Sequence, residues 1–103
     1  MKIALLDGEE VLATEQANHG SGGGWLYVTN RRVIFEPNAL SFGSRVREIP
    51  LEDIDDVGPH NLLGIIPDGM EIWTRDGKRH RFVVWGRRRL IDMIHVCKSG
   101  IVE

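Results

Sequence analysis

Gly24-Trp25-Leu26-Tyr27-Val28-Thr29-Asn30-Arg31-Arg32-Val33-Ile34-Phe35-Glu36-Pro37 reads as two strands folded back on each other. Trp25 to Thr29 is aromatic and β-branched, which fits a pleated surface. Successive side chains point to opposite faces, so Leu26 and Val28 share one face and Trp25, Tyr27 and Thr29 the other. Asn30 marks the turn, because its short amide tolerates left-handed backbone and bonds to nearby main chain. Arg32 to Glu36 alternates again, with Val33 and Phe35 on one face and Arg32, Ile34 and Glu36 opposite. Pro37 ends the strand by removing a ladder donor. Two strands alone leave an apolar face in water, so the rest of the chain must cover it.

Downstream, a second hairpin follows. Met70 to Arg75 alternates, with Met70, Ile72 and Thr74 against Glu71, Trp73 and Arg75. Asp76-Gly77 is the dipeptide favoured in a two-residue type I′ turn. Lys78 to Trp85 returns, with His80, Phe82 and Val84 against Arg79, Arg81, Val83 and Trp85. Gly86 breaks the strand. Arg87 to Lys98 then takes helical spacing, with Leu90, Ile91, Ile94 and Cys97 on one stripe and Met93 at its edge. Gly100 is placed to stop the helix. Upstream, Glu10 to Asn18 alternates weakly and reads as the first strand, and His19 to Gly24 reads as a flexible glycine loop.

Between the hairpins, Asn38 to Ser44 is a connection holding Leu40 and Phe42. Arg45 to Pro50 is a strand whose apolar members, Val46 and Ile49, are oddly spaced, which implies a bulge. Leu51 and Ile54, three apart, suit one tight helical turn. Asp55 to His60 makes a short fifth strand, and the apolar stretch Asn61 to Ile66 stays unassigned. The total is mainly β: a bent antiparallel barrel of about seven strands, capped by one C-terminal helix over about residues 87–98.

The string GWLYVTNRRVIFEP resembles the central hairpin of the GRAM domain, a relative of the pleckstrin-homology superfold. The resemblance runs from about Leu6 to Ile94. It takes in Leu6-Asp7-Gly8-Glu9, Ile49-Pro50-Leu51-Glu52-Asp53-Ile54, Glu71-Ile72-Trp73-Thr74 with Asp76-Gly77, and Phe82-Val83-Val84-Trp85 before the last helix. It implies a seven-stranded bent sheet closed by a C-terminal helix, and a binding module associated with membranes, with phosphoinositides or other anionic lipids as proposed ligands. Related domains commonly bind headgroups with basic residues around the first inter-strand loop. Here Asn18 to Gly24 holds no Lys or Arg, only His19, so the resemblance supplies no phosphoinositide pocket there. Arg31-Arg32 matches a common position in the GRAM hairpin.

At 103 residues the chain makes one domain, residues 1–103, with a single modest core. No apolar run approaches membrane-spanning length, and the N-terminal apolar segment is too short for a signal peptide. The lone Cys97 excludes an internal disulfide and fits a reducing compartment. These features lead us to expect a cytoplasmic protein, peripheral at most to the inner face of a membrane. A net charge of −2 argues against a general polyanion binder and against nucleic acid.

The charge is unevenly spread. Acids dominate before Arg75, most densely at Glu52, Asp53, Asp55 and Asp56. Arg75, Lys78, Arg79, Arg81, Arg87, Arg88 and Arg89 then crowd together with only Asp76 among them. They are the candidate anion- or lipid-binding group. Trp25, Trp73 and Trp85 fall on the strand face opposite the Leu/Val/Phe face, and are the candidate interaction surface for a partner, for self-association or for a membrane interface.

Other motifs fail on context. Gly20-Ser21-Gly22-Gly23-Gly24 is followed by a strand, whereas a phosphate loop opens a helix. Asp53 to Gly58 brushes a calcium-loop pattern but has Gly64 at its twelfth position, and reads as a solvated acidic turn. His19, His60, His80 and His95 show no metal spacing with each other or with Cys97. No nucleophile-elbow or catalytic motif is present. The sequence therefore points to a non-catalytic module without cofactor or metal.

Overall fold

The computed structural model describes residues 4–19, 22–38, 46–62, 66–84 and 86–101. Seven strands run in chain order: β1 Val11–His19, β2 Gly22–Thr29, β3 Arg32–Pro37, β4 Arg47–Pro50, β5 Ile54–Leu62, β6 Ile66–Thr74 and β7 Arg79–Val84. A single 3-10 turn, Leu51–Asp53, separates β4 from β5, and the helix α1 spans Arg87–Ile101. All strands join one antiparallel sheet in the order β4-β3-β2-β1-β7-β6-β5.

The alternation read from the central hairpin holds on its core side. Leu26, Val28, Val33 and Phe35 join one cluster with Ala13, Ala17, Ile49, Leu51, Ile54, Val57, Met70, Ile72, Phe82 and Val84. Leu90 and Ile94 of α1 drop into the same cluster, with Ile91, Met93 and Cys97 packed against it. Each fully buried Leu or Ile contributes about 1.5–3 kcal/mol. Lys98 near the end of α1 donates to the Asp55 carbonyl at 2.7 Å, tying the helix to β5.

The hairpin's other face is buried too. Tyr27, Thr29 and Ile34 are covered on the side away from the core. The Tyr27 hydroxyl donates to Glu36 at 3.0 Å. Burial first, and then this neighbouring carboxylate, push the phenol up to about 12. Thr29 donates to Glu9 at 2.7 Å and accepts the Arg31 and Arg32 amides at 3.0 and 2.9 Å, which fixes the turn.

Several boundaries differ from the sequence expectation. Gly22 to Gly24 belong to β2 and are not loop: Gly23 and Gly24 pair with Asn18 and Ala17, and Gly24 also sits opposite Pro37. A Cβ at Gly24 would lie 2.2 Å from the Glu36 carbonyl oxygen and 2.8 Å from the Pro37 Cα. Only glycine lets the two backbones approach this closely. We expect Gly24→Ala to destabilise the domain by about 1–3 kcal/mol through overpacking. Chemical denaturation measures this, and an unchanged midpoint would contradict the close approach.

Val46 precedes β4 and is exposed, so the odd spacing of Val46 and Ile49 needs no bulge. The stretch read as an acidic turn is the start of β5, with Ile54 and Val57 buried on either side of the exposed Asp55 and Asp56. Strand β6 begins at Ile66, earlier than its alternation showed, and ends at Thr74, leaving Arg75 in the turn. Helix α1 runs through Gly100 to Ile101. Trp85 and the connection holding Leu40 and Phe42 lie outside the described residues.

Candidate functional site

The β6–β7 connection decides which charged side chains meet. Trp73 pairs with Arg79, and Glu71 with Arg81. Thr74 donates its amide to the Lys78 carbonyl at 3.0 Å, so the connection is Arg75-Asp76-Gly77, three residues rather than two. Gly77 closes it at φ +84°, a conformation that favours glycine. A two-residue turn would have set Trp73 opposite His80 and Glu71 opposite Phe82, mixing the faces of the sheet. Asp76 accepts from the Thr74 hydroxyl and the Lys78 amide, and its carboxyl is lowered by those bonds in that order.

On the outer face of this ladder, Glu71 lies buried between two arginines. Arg79 Nε is 3.7 Å from one of its oxygens and Arg81 Nε 3.6 Å from the other. The Arg79 guanidinium also lies over the Trp73 ring, 5.2 Å from its centroid. Trp73 itself is 41 % exposed. Arg87, from the first turn of α1, donates to the Gly69 carbonyl at 3.2 Å. Gly69 pairs with Val83, two residues along each strand from Glu71 and Arg81. Arg79, Arg81 and Arg87 therefore form a row along one ladder, with an exposed indole at one end.

The family model described as Bacterial PH domain matches residues 5–98. The chain belongs to the bacterial PH domain family. Solved structures share its fold, two of which follow. The C-terminal domain of an unknown protein from Leishmania infantum superposes with a TM-score of 0.77 at 14 % identity, over 90 % of this chain and 87 % of that one. The Vps36 N-terminal PH domain superposes with a TM-score of 0.74 at 14 % identity, over 96 % and 86 %. At such identity the likeness concerns the fold. A comparison with curated proteins finds no match.

In this bacterial PH domain the seven basic residues singled out in the sequence do not form one patch. Arg75 and Lys78 line a cleft of about 300 Å³ with His80, faced by Glu48, Asp53 and Asp76. Burial lowers the His80 pKa, which disfavours a third cation beside Arg75 and Lys78, and the three acids offset those two. Arg88 and Arg89 are exposed on the outer side of α1, beside an open apolar groove of about 690 Å³ that includes Met93 and Val96. Arg89 is 3.9 Å from Glu15. That carboxylate lies against Gly86 at the start of the helix, where it offsets the unfavourable placement of three arginines at the positive end of the dipole.

The tryptophans separate as well. Trp25 is 39 % exposed on β2, opposite Gln16. Strands β1 and β7 lie between β2 and β6 in the sheet, so Trp25 and Trp73 belong to different parts of the surface. Cys97 is half-buried and its thiol is raised by burial, which makes it a poor nucleophile. Among the described residues no group of three His, Cys, Asp or Glu side chains could hold a metal, and no helix is long and apolar enough to cross a membrane.

The roles of two hairpin residues escaped the sequence reading. Glu71 was legible only as a member of the Trp73 face, and its meeting with Arg81 depends on the length of the turn. Arg32 matched a family position without a role. In the structure it donates twice to Glu9, at 2.8 and 2.9 Å, once to Glu48, and once to the Ala4 carbonyl at 2.9 Å. It is a structural residue, while Arg31 stays exposed.

Proposed function

We propose that this domain is a non-catalytic binding module of GRAM type that associates peripherally with anionic membrane lipid, at the inner face of a membrane. The observation that carries this reading is the row of Arg79, Arg81 and Arg87 beside the exposed Trp73. Guanidiniums face lipid phosphates well, and an indole with a wet edge suits the interface between headgroups and acyl chains. The hairpin string from Gly24 to Pro37 supports the GRAM placement within the superfold.

Magnitude sets the expected strength. Each Arg near an anionic leaflet contributes about 1 kcal/mol. Three arginines less one carboxylate, with part of an indole buried, give about 4 kcal/mol, which is millimolar. A lone domain binds weakly and needs a second attachment to act in a cell.

Co-sedimentation with neutral and anionic vesicles, at low and near-physiological salt, tests the reading. Wild type is expected to pellet with anionic vesicles only, and less so as salt rises. Arg79→Gln removes one charge while leaving Arg81 on Glu71, and is expected to weaken binding about five-fold. Arg88→Gln, away from the row, is expected to change little. No binding at any composition, together with a discrete dimer in light scattering, would sink the lipid reading in favour of a protein-interaction or self-assembly module.

A further inference from the structure

A second cleft lies on the outer face of β1 to β3, away from the arginines. Asn18 of β1 pairs with Gly23 of β2, and the next outward-facing pair along the ladder is Gln16 with Trp25. Ala17, between the two amide residues, is buried, so Gln16 and Asn18 project outward. On the other flank of β2, Asn38 donates its main-chain amide to the Gly23 carbonyl at 2.9 Å. A Cβ on Gly23 would lie 2.9 Å from Asn18 Oδ1 and 3.4 Å from Asn38 Nδ2. Two carboxamides therefore stand on either side of a bare glycine, one turning an acceptor toward it and the other a donor.

These residues, with Trp25, line a cleft of about 200 Å³ in which no side chain carries a charge. Gln16, Asn18, Asn38 and Trp25 are all exposed, so their polar groups and the indole are open to a ligand. The chemistry narrows the choice of ligand. Without a cation or a carboxylate the cleft has no hold on an ion. Strand β2 is paired on both sides, so no free ladder edge is offered to a peptide. Carboxamides both donate and accept, as hydroxyl groups do. An indole adds a flat apolar surface with a polar edge. Sites for drug-sized ligands run to ~300–1,000 Å³, so this smaller cleft has room for one hydroxylated ring.

We propose that this cleft binds a single neutral pyranose ring, with its hydroxyls on Asn18, Asn38 and Gln16 and its C–H face on Trp25. The site is separate from the arginine row and does not depend on the membrane reading.

The ring can come from a soluble saccharide or from the headgroup of a neutral glycolipid. Titrations of the labelled protein, followed by the NMR signals of the side-chain amides and the Trp25 indole, use methyl β-glucopyranoside, methyl α-mannopyranoside and N-acetylglucosamine. Sorbitol serves as an open-chain control. At least one of the rings is expected to move these signals with a dissociation constant on the order of millimolar, as befits so small a ligand. Sorbitol is expected to move them far less. Asn38→Ala keeps its main-chain bond to Gly23 and should weaken binding about five-fold. Trp25→Leu should do the same, with Trp25→Phe restoring most of the loss. Co-sedimentation with phosphatidylcholine vesicles carrying glucosyl diacylglycerol supplies the second source; these vesicles are uncharged, so the arginines add nothing. Binding of the free rings, or of the glycolipid alone, supports the site and identifies the source. No response to any ring in either form would overturn the proposal. So would equal binding of sorbitol, or Asn38→Ala and Trp25→Leu variants that fold and bind like wild type.

Discussion

Arg32→Ala is expected to lower the stability of the domain by about 3–5 kcal/mol, the cost of stripping one partner from a buried ion pair. The Glu9 side chain has no exposed surface and Arg32 only 12 %. Removing the guanidinium strands that carboxylate in the protein interior and frees the Ala4 carbonyl and Glu48 at the same time. A small domain has about 5–15 kcal/mol in all, so a large share is at stake.

The pH dependence gives an independent handle on the same pair. The Glu9 carboxyl is held at about 2 rather than 4.5, first by the Arg32 hydrogen bond. The Leu6 amide and the Thr29 hydroxyl add to the effect, and burial opposes it. A folded value below the unfolded one stabilises the fold above the unfolded pKa. That contribution is complete above about pH 4.5 and is lost as pH falls toward about 2. Urea midpoints at pH 3 and pH 6 should differ clearly in wild type and much less in Arg32→Ala. A variant within about 1 kcal/mol of wild type, with its acid limb intact, would show that the network is ornamental.

Deleting the chain after Gly86 is expected to abolish cooperative folding. Leu90 and Ile94 have no exposed surface, and both belong to the single core cluster. Without α1, Leu51, Ile54 and Val57 lose the helix that covers them. Two fully buried side chains at about 1.5–3 kcal/mol each, with Ile91, Met93 and Cys97 added, approach the stability of the whole domain. A graded version avoids relying on an unfolded product: Leu90→Ala alone should cost about 2–5 kcal/mol. A truncated chain that still melts in a sharp transition would overturn the role assigned to the helix.

The sequence showed the fold where periodicity was strong. The Trp25–Glu36 hairpin, the Leu51/Ile54 turn and the Leu90/Ile94 stripe all read correctly, because the spacing of their side chains carries a visible period. It misled where one residue type serves two purposes. Gly22 to Gly24 had the composition of a loop, yet Gly24 is required by a close approach to Glu36 that no local pattern reveals. Asp76-Gly77 carried a hairpin signal common to two- and three-residue connections, and the choice between them decides whether Glu71 meets Arg81. Arg79 and Arg81, two apart on a strand, could be paired from sequence. Arg87 could not, since its approach to Gly69 depends on Gly86 turning the chain at φ +80°. Arg32 finds its partners 23 and 16 residues away, beyond any local window.

The order of strands has a further consequence for how the molecule comes apart. Every ladder joins neighbours in the chain except the one between β1 and β7. Among the described residues that seam consists of Ala17 with Val84 and Asn18 with Val83. It is prolonged by His19, whose Nδ1 lies 3.0 Å from the Arg81 carbonyl and whose ring rests on Phe82. The domain is thus two meanders, β1 to β4 and β5 to β7, stitched along a short line and clamped by α1. Each meander can assemble from nearby contacts, but the stitch must close a loop of more than sixty residues. It forms late in folding and is the natural place for a partial opening. Arg79 and Arg81 lie on one side of that line and the Arg32 network on the other, so the strand part of the surface proposed to bind and the residue that holds the hairpin together belong to different halves.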